Sequence, residues 1–228
     1  MKNTCTILAI AAALTFSVNS YAQNNTATDK SKADIDTKAT EYVAALNLTD
    51  AAKAARVKTV IDAHLTAVRE WHNGHPYTLT PEGINPITGK VFTKLERELI
   101  VDSTIPKTTH DSLMTGLRKD LDEAQVEIIL DKYTIGKVAF TMNGYKSIVP
   151  DLTPAEESVI LTNLKLAREQ SVDYKDIKEM STIFKIYKTK IEDYFNSNGR
   201  NWKQMYQAYF DKMKAKKASG SKTEPVQN

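Results

Sequence analysis

Apolar residues recur at three- and four-residue steps along most of this chain, the spacing that puts them on one face of a helix. Ile35, Ala39, Tyr42, Val43 and Leu46 make a short first stripe, which Asn47 ends. Thr49 stands as an N-cap before a longer stripe of Ala54, Val57, Val60, Ile61, Leu65, Val68 and Trp71, with Gly74 as its stop. From Gly74 to Lys90 three prolines and three glycines predict a long loop, and loops of that length inside compact domains are often functional. Val91, Leu95, Leu99 and Ile100 predict a helix from Val91 to Val101. Ile105-Pro106 then breaks the pattern and starts another helix, whose stripe is His110, Leu113, Met114, Leu117 and Leu121. Asp122 with Gln125 three residues on has the form of a capping box, opening a helix of Val126, Ile128, Ile129 and Leu130 that reaches Gly136.

Two readings compete over 137–149. Asn143-Gly144 between Val138, Phe140, Met142 and Tyr145, Val149 is a hairpin signal. Met142, Tyr145, Ile148 and Val149 also fit helical steps, and a lone hairpin among helices would have no sheet to join, so the helix is favoured. Thr153-Pro154-Ala155-Glu156 combines an N-cap, a proline at the first helical position and a glutamate that completes the box. Its helix runs to Gln170. The next, from Asp173 to Asn196, carries Ile177, Met180, Phe184, Tyr187, Ile191 and Tyr194 as a seam that wants a partner helix, and Gly199 stops it. The last helix, Asn201 to Lys216, presents Trp202, Met205, Tyr206, Tyr209, Phe210 and Met213 on one face and should pack antiparallel to its predecessor. The expectation is an all-α chain, a single multi-helix bundle-like domain over 34–217, with 137–149 the one place for a short hairpin.

The ends change the picture. Lys2, the apolar run Ile7 to Phe16 and the small residues around Ser20-Tyr21-Ala22 predict a signal peptide over 1–22, hence export to the periplasm, the cell surface or beyond. That run is too short to span a bilayer, and no later segment is long and apolar enough. Residues 23–33 read as a disordered leader and 218–228 as a disordered tail, both polar and unable to bury themselves. Cys5, the single cysteine, precedes the apolar run, so it is discarded with the signal instead of carrying a lipid. The exported chain would then have neither disulfides nor thiolate chemistry. With Lys2 gone, 30 basic residues face 28 acidic ones, and the excess lies in the lysine-rich tail. A near-neutral body argues against nucleic acid as a partner.

The candidate chemistry is sparse. There is no Gly-x-Ser-x-Gly elbow, no His-Glu-x-x-His, no phosphate loop and no dinucleotide fingerprint, so no cofactor is expected. The best cluster is Arg69, Trp71, His72, His75 and Tyr77, where a helix ends and the long loop begins. A ring to stack on and a charged donor are what sugar recognition needs. The competing reading makes Trp71 core and lets His72 sit at the helix C-terminal dipole. A metal is not expected there, because Gly74 interrupts the helix between the two imidazoles and no acidic residue has an evident ligand spacing to them. His64 and His110 lie on apolar faces, as buried histidines satisfied by a hydrogen bond would, and share a polar pocket only if the fold brings them together. Arg200 and Trp202, in the turn Asn198-Gly199-Arg200-Asn201-Trp202, form either a ligand-facing rim or a structural corner. Tyr174, Tyr187, Tyr194, Tyr206 and Tyr209 could stack on sugars but suit a core edge better. The carboxylate pairs Glu127/Asp131 and Glu156/Glu157 are explained by capping and solvation.

Several stretches resemble an uncharacterised family of secreted Bacteroidota proteins, domain of unknown function 3826. They are Asn47-Leu48-Thr49, Ala67-Val68-Arg69-Glu70-Trp71-His72, Asp131-Lys132-Tyr133-Thr134 with Gly136-Lys137-Val138, Tyr145 to Thr153, and Asn198-Gly199-Arg200-Asn201-Trp202. The likeness runs from Tyr42 to Tyr209. It implies the periplasm or surface of a Bacteroidota-type bacterium and a setting among genes for polysaccharide use, but supplies no catalytic residue. Two functions remain open on these residues. One is a non-catalytic helical binding or accessory protein for a glycan or a protein partner. The other is a hydrolase or lyase of polysaccharide fragments, drawing on His72, His75, Arg69 or Arg200.

Overall fold

A computed structural model describes residues 29–220, and the described residues contain nine α-helices and no strand. They are α1 (29–44), α2 (Ala51–Gly74), α3 (Lys94–Asp102), α4 (Lys107–Asp120), α5 (Glu123–Tyr133), α6 (Lys137–Ile148), α7 (Pro154–Ser171), α8 (Ile177–Ser197) and α9 (Trp202–Gly220). The expected signal peptide, residues 23–28 of the leader and the tail beyond 220 lie outside the described residues. Residues 29–33, expected to be disordered, belong to α1. A polar helical turn needs no burial of its own once a neighbour holds it, and the Arg69 guanidinium donates to Ser31 Oγ at 3.2 Å. At the other end, α9 carries on through 218–220, past the expected end of the domain.

The segment 137–149 is helical, with Gly136 at φ +65° as the entry to α6. A hairpin there would have left both strand edges unpaired among helices. Several helix starts are set by side chains. Asp122 and Gln125 close a capping box on α5, and Thr153 and Glu156 one on α7. Thr93 with Glu96, and Asp176 with Glu179, close two more, so that α3 begins at Lys94 and not at Val91, and α8 at Ile177, its first apolar stripe residue, and not at Asp173. The cap of α2 is Asp50, whose carboxylate accepts from Ala52 and Lys53 N–H, and not the neighbouring Thr49. The long loop is ordered. A 3-10 turn spans Tyr77–Leu79, Ile84 and Val91 form an isolated antiparallel bridge, and Asn85 Oδ1 accepts from Ile87 and Thr88 N–H. Arg97, nearly buried, donates to the Thr80 carbonyl and to Glu82, tying the loop to α3.

The helices gather around two apolar clusters. The first joins Ala39 and Val43 of α1 and Leu46 of the turn after it with Val57 and Ile61 of α2, Leu113 and Leu117 of α4, and Val126, Ile129 and Tyr133 of α5. The second joins Val138 and Tyr145 of α6 with Ile160 and Leu164 of α7, and Ile183, Phe184, Ile191 and Phe195 of α8. The buried seam of α8 is therefore rotated from the expected one: Ile183 and Phe195 are inside, while Ile177 is 53% exposed. Only the first turns of α9 are held, through Trp202 and Met205, and Tyr206, Phe210 and Met213 are about half exposed. Between α5 and α7, Arg168 is 2% exposed and pairs with Glu127 and Asp131 at 2.7 Å each.

Candidate polar seam and cleft

The loop Val172–Asp176 between α7 and α8 runs where the two clusters meet. Val172 belongs to the first and Tyr174 to the second. Lys175 Nζ donates to Asn73 Oδ1 at 2.7 Å, so the loop is pinned to the end of α2. Polar groups collect on both sides of it.

On one side Asp173 takes a histidine on each carboxylate oxygen. His64 Nε2 is 3.0 Å from Oδ1 and His110 Nδ1 is 2.8 Å from Oδ2. The second nitrogen of His64 lies 3.2 Å from Tyr133 Oη, and that of His110 lies 3.5 Å from Glu169. Donation from His64 Nε2 to Asp173 and from the tyrosine hydroxyl to Nδ1 would satisfy every group in this chain. Burial pushes the Asp173 carboxyl up, but His110 and His64 outweigh it and the net shift is downward. Asp173 in turn raises His110. The two histidines thus converge, through an aspartate that lies in a loop and not, as the pattern suggested, at the start of α8.

On the other side His72 of α2 meets Asp102, the last residue of α3, and Glu179 in the first turn of α8. His72 Nδ1 is 2.6 Å from Asp102 Oδ2. One ligand-type atom from each of the three residues lies within 4.8 Å of those of the other two. Asp102 is 3% and Glu179 1% exposed. Glu179 Oε2 accepts the Asp176 N–H of the capping box at 3.1 Å, whereas Oε1 is buried with no hydrogen-bond partner. Burial first, and then the facing Asp102 carboxyl, push the Glu179 carboxyl up to about 8. Burial likewise raises Tyr174, to about 12, and Glu179, Asp102 and Asp173 all add to its rise.

Beside the seam a cleft of about 970 Å³ opens between α1, α2, α5 and the α7–α8 loop. Arg69, Lys132, Lys175 and Asp131 line it with Tyr42 and Tyr174.

The residues singled out in the sequence do not form one pocket. Arg69 faces the cleft, whereas Trp71, two residues on, faces α3 and donates from Nε1 to the Val101 carbonyl at 3.4 Å. His75 stacks on Trp71, ring centroids 3.7 Å apart, and its Nδ1 is 2.8 Å from the Trp71 carbonyl. Tyr77 lies under the Lys94 and Arg97 cations at 5.3 and 5.1 Å. His72 turns inward to Asp102. Trp202 packs against the second cluster, stacked on Phe195 at 5.7 Å, and Arg200 beside it bridges Glu156 and Asp151. No acidic residue near His72 in the chain has a ligand spacing to it, yet the fold brings it two carboxylates from distant helices. Asp102 reads locally as a helix end, Asp173 as a helix start and Glu179 as a cap residue. The one available signal was the pairing Asp176/Glu179, which shows a box but not what faces it.

No curated protein matches the chain. The family model described as a protein of unknown function, DUF3826, matches residues 32–215, from within α1 to within α9. Both apolar clusters, the seam and, apart from Ser31, the lining of the cleft fall inside that match, and the chain belongs to the DUF3826 family.

Proposed function

We propose that this is an exported, non-catalytic binding protein that holds a glycan fragment in the cleft between α1, α2, α5 and the α7–α8 loop. The observation that carries the reading is the cleft itself: its volume of about 970 Å³ lies at the upper end of the range for ligand sites, 300–1,000 Å³. Its lining alternates cations and carboxylates, Arg69, Lys132 and Lys175 with Asp131 and Asp176, around tyrosine rings. Ring faces for stacking and charged groups for hydroxyls and uronate carboxylates are the chemistry a sugar chain offers partners for. The signal-like start, with Lys2, the run Ile7 to Phe16 and Ser20-Tyr21-Ala22, supports export, and the family resemblance favours a Bacteroidota periplasm or surface. Among the described residues no helix is long and apolar enough to cross a membrane.

A hydrolase or lyase is the second reading, favoured by one observation, a carboxyl raised into the neutral range as catalytic acids are. Glu179 is 1% exposed and does not line the cleft, so substrate in the cleft would not touch it, and binding without turnover is preferred. Calorimetry with neutral and uronate-containing oligosaccharides, followed by product analysis of the same mixtures, tests both. Saturable heat without new products is expected, with at least tenfold weaker binding in Lys132→Ala at unchanged Tm and in Arg69→Ala with the wild-type far-ultraviolet dichroism kept. New reducing ends or unsaturated products would replace the binding reading with the enzyme, and no heat with any glycan would end the glycan assignment.

A further inference from the structure

We propose that His72, Asp102 and Glu179 form a binding site for one divalent transition-metal ion. Three elements that meet nowhere else in sequence, the end of α2, the end of α3 and the start of α8, each deliver one nitrogen or oxygen to the same point, within 4.8 Å of one another. Within that convergence, Glu179 Oε1 is buried and receives no N–H or hydroxyl donor, and what its carboxyl meets is the Asp102 carboxyl, another acceptor unless a proton lies between them. The other oxygen of the same group is held by the Asp176 N–H, so the side chain is fixed with the unpartnered atom turned away from its own cap. Two carboxyls closed into one dry space repel each other, and a +2 ion among them removes that repulsion and supplies the missing partner at once.

The donor set selects the class of ion. One imidazole nitrogen and two carboxylate oxygens suit Zn²⁺ or Mn²⁺, while Ca²⁺ prefers six to eight oxygens and soft ions prefer sulfur. Three protein ligands leave a coordination position for water, and His72, with its side chain 25% exposed, is the side from which water reaches it. His72 Nδ1 and Asp102 Oδ2 at 2.6 Å stand closer than the roughly 3 Å that separates neighbouring ligands about 2.1 Å from one ion. Coordination at Nδ1 therefore takes the place of the Nδ1–Asp102 hydrogen bond, leaves the single ring hydrogen of a neutral imidazole on Nε2, and spreads the two atoms by about half an ångström. The site stands apart from the glycan cleft, and neither proposal needs the other.

The test uses the exported chain, stripped with a chelator and dialysed. Zn²⁺, Mn²⁺ and, for comparison, Ca²⁺ are each titrated by calorimetry, with Tm read in parallel. Zn²⁺ or Mn²⁺ should bind one ion per chain and raise Tm by about 5–10 °C at a hundredfold excess over Kd. His72→Ala and Glu179→Gln should each weaken that binding at least a hundredfold while keeping the wild-type far-ultraviolet dichroism. The glutamine amide oxygen can still accept the Asp176 N–H, which keeps the cap of α8 and makes this variant the one whose fold is safest. Absence of saturable binding by either transition ion to the folded wild type would overturn the proposal. So would one-to-one binding that survives in both variants, or Ca²⁺ binding tighter than both.

Discussion

Arg200 occupies the corner where α8 turns into α9, and its partners decide what it does. Nε and Nη2 donate to the two oxygens of Glu156, at 2.5 and 2.9 Å, and Nη1 reaches both oxygens of Asp151 at 3.1 Å. The Glu156 side chain is 10% exposed and also closes the capping box of α7, so one guanidinium ties the α8–α9 turn to the start of α7. Arg200→Ala is therefore expected to lower stability by about 1 kcal/mol, the scale of a charge-assisted hydrogen bond at a partly exposed site, with no effect on glycan binding. Urea midpoints and calorimetric titration of the same variant check both halves. Arg200, followed by the Thr153 cap, holds Glu156 below the usual carboxylate range. That contribution is present above the unfolded value near 4.5 and fades as pH falls through the lower folded one, so the difference between wild type and Arg200→Ala should shrink in acid. In sequence the turn read better as a corner than as a rim, without showing what the corner joins. The residues that decide it, Asp151 and Glu156, lie more than forty positions earlier, and a local pattern does not reach that far.

Helices were legible where a single turn carries its own punctuation. Asp122/Gln125 and Thr153/Glu156 stand directly before apolar stripes, and both boxes form. The hairpin signal at Asn143-Gly144 lost because a helix satisfies its backbone internally and two strands without a sheet do not. The start of α8 was misread because Asp173 and Asp176 are both plausible caps three residues apart, and only the histidines across the loop show that Asp173 is otherwise engaged. Spacing also hides how closely helices approach. Gly116 of α4 faces Val60 of α2 so tightly that a Cβ built on it would lie 2.8 Å from both Val60 methyl carbons. Alanine gains up to about 1 kcal/mol in helix propensity over glycine. A β-branched valine has little rotamer freedom to step aside, and overpacking costs about 1–3 kcal/mol. The clash should win, so Gly116→Ala is expected to destabilise by about 1 kcal/mol net in denaturant titration. A more stable variant would mean that α2 and α4 can part without cost.

Across the whole molecule the two apolar clusters are joined by polar chemistry as well as by packing, which makes the joint sensitive to pH. The groups facing His110 are Asp173 from the α7–α8 loop and Glu169 from α7, with His64 of α2 on the far oxygen of Asp173 and Arg118 of α4 acting on Glu169. The Asp173 hydrogen bond, against the opposing effect of burial, raises the folded His110 value above 6.5. Protonated His110 therefore favours the folded state. Its contribution is complete below the unfolded value of about 6.5 and is lost as pH rises through the higher folded one. Asp173 has the opposite limit: lowered in the folded state, it stabilises above its unfolded value of 3.8 and ceases to as pH falls through the folded one. The joint is thus strongest in mildly acidic solution, between those limits. Urea midpoints of the chain from pH 5 to 8.5 should fall with pH relative to His110→Asn, which cannot take up the proton, with the largest gap between the two at the acidic end of that range. Parallel curves would show that the imidazolium–carboxylate contact at α4 does not couple the two halves. A gap that widens toward pH 8.5 would reverse the sign of the linkage and place the stabilising form of His110 on the neutral side.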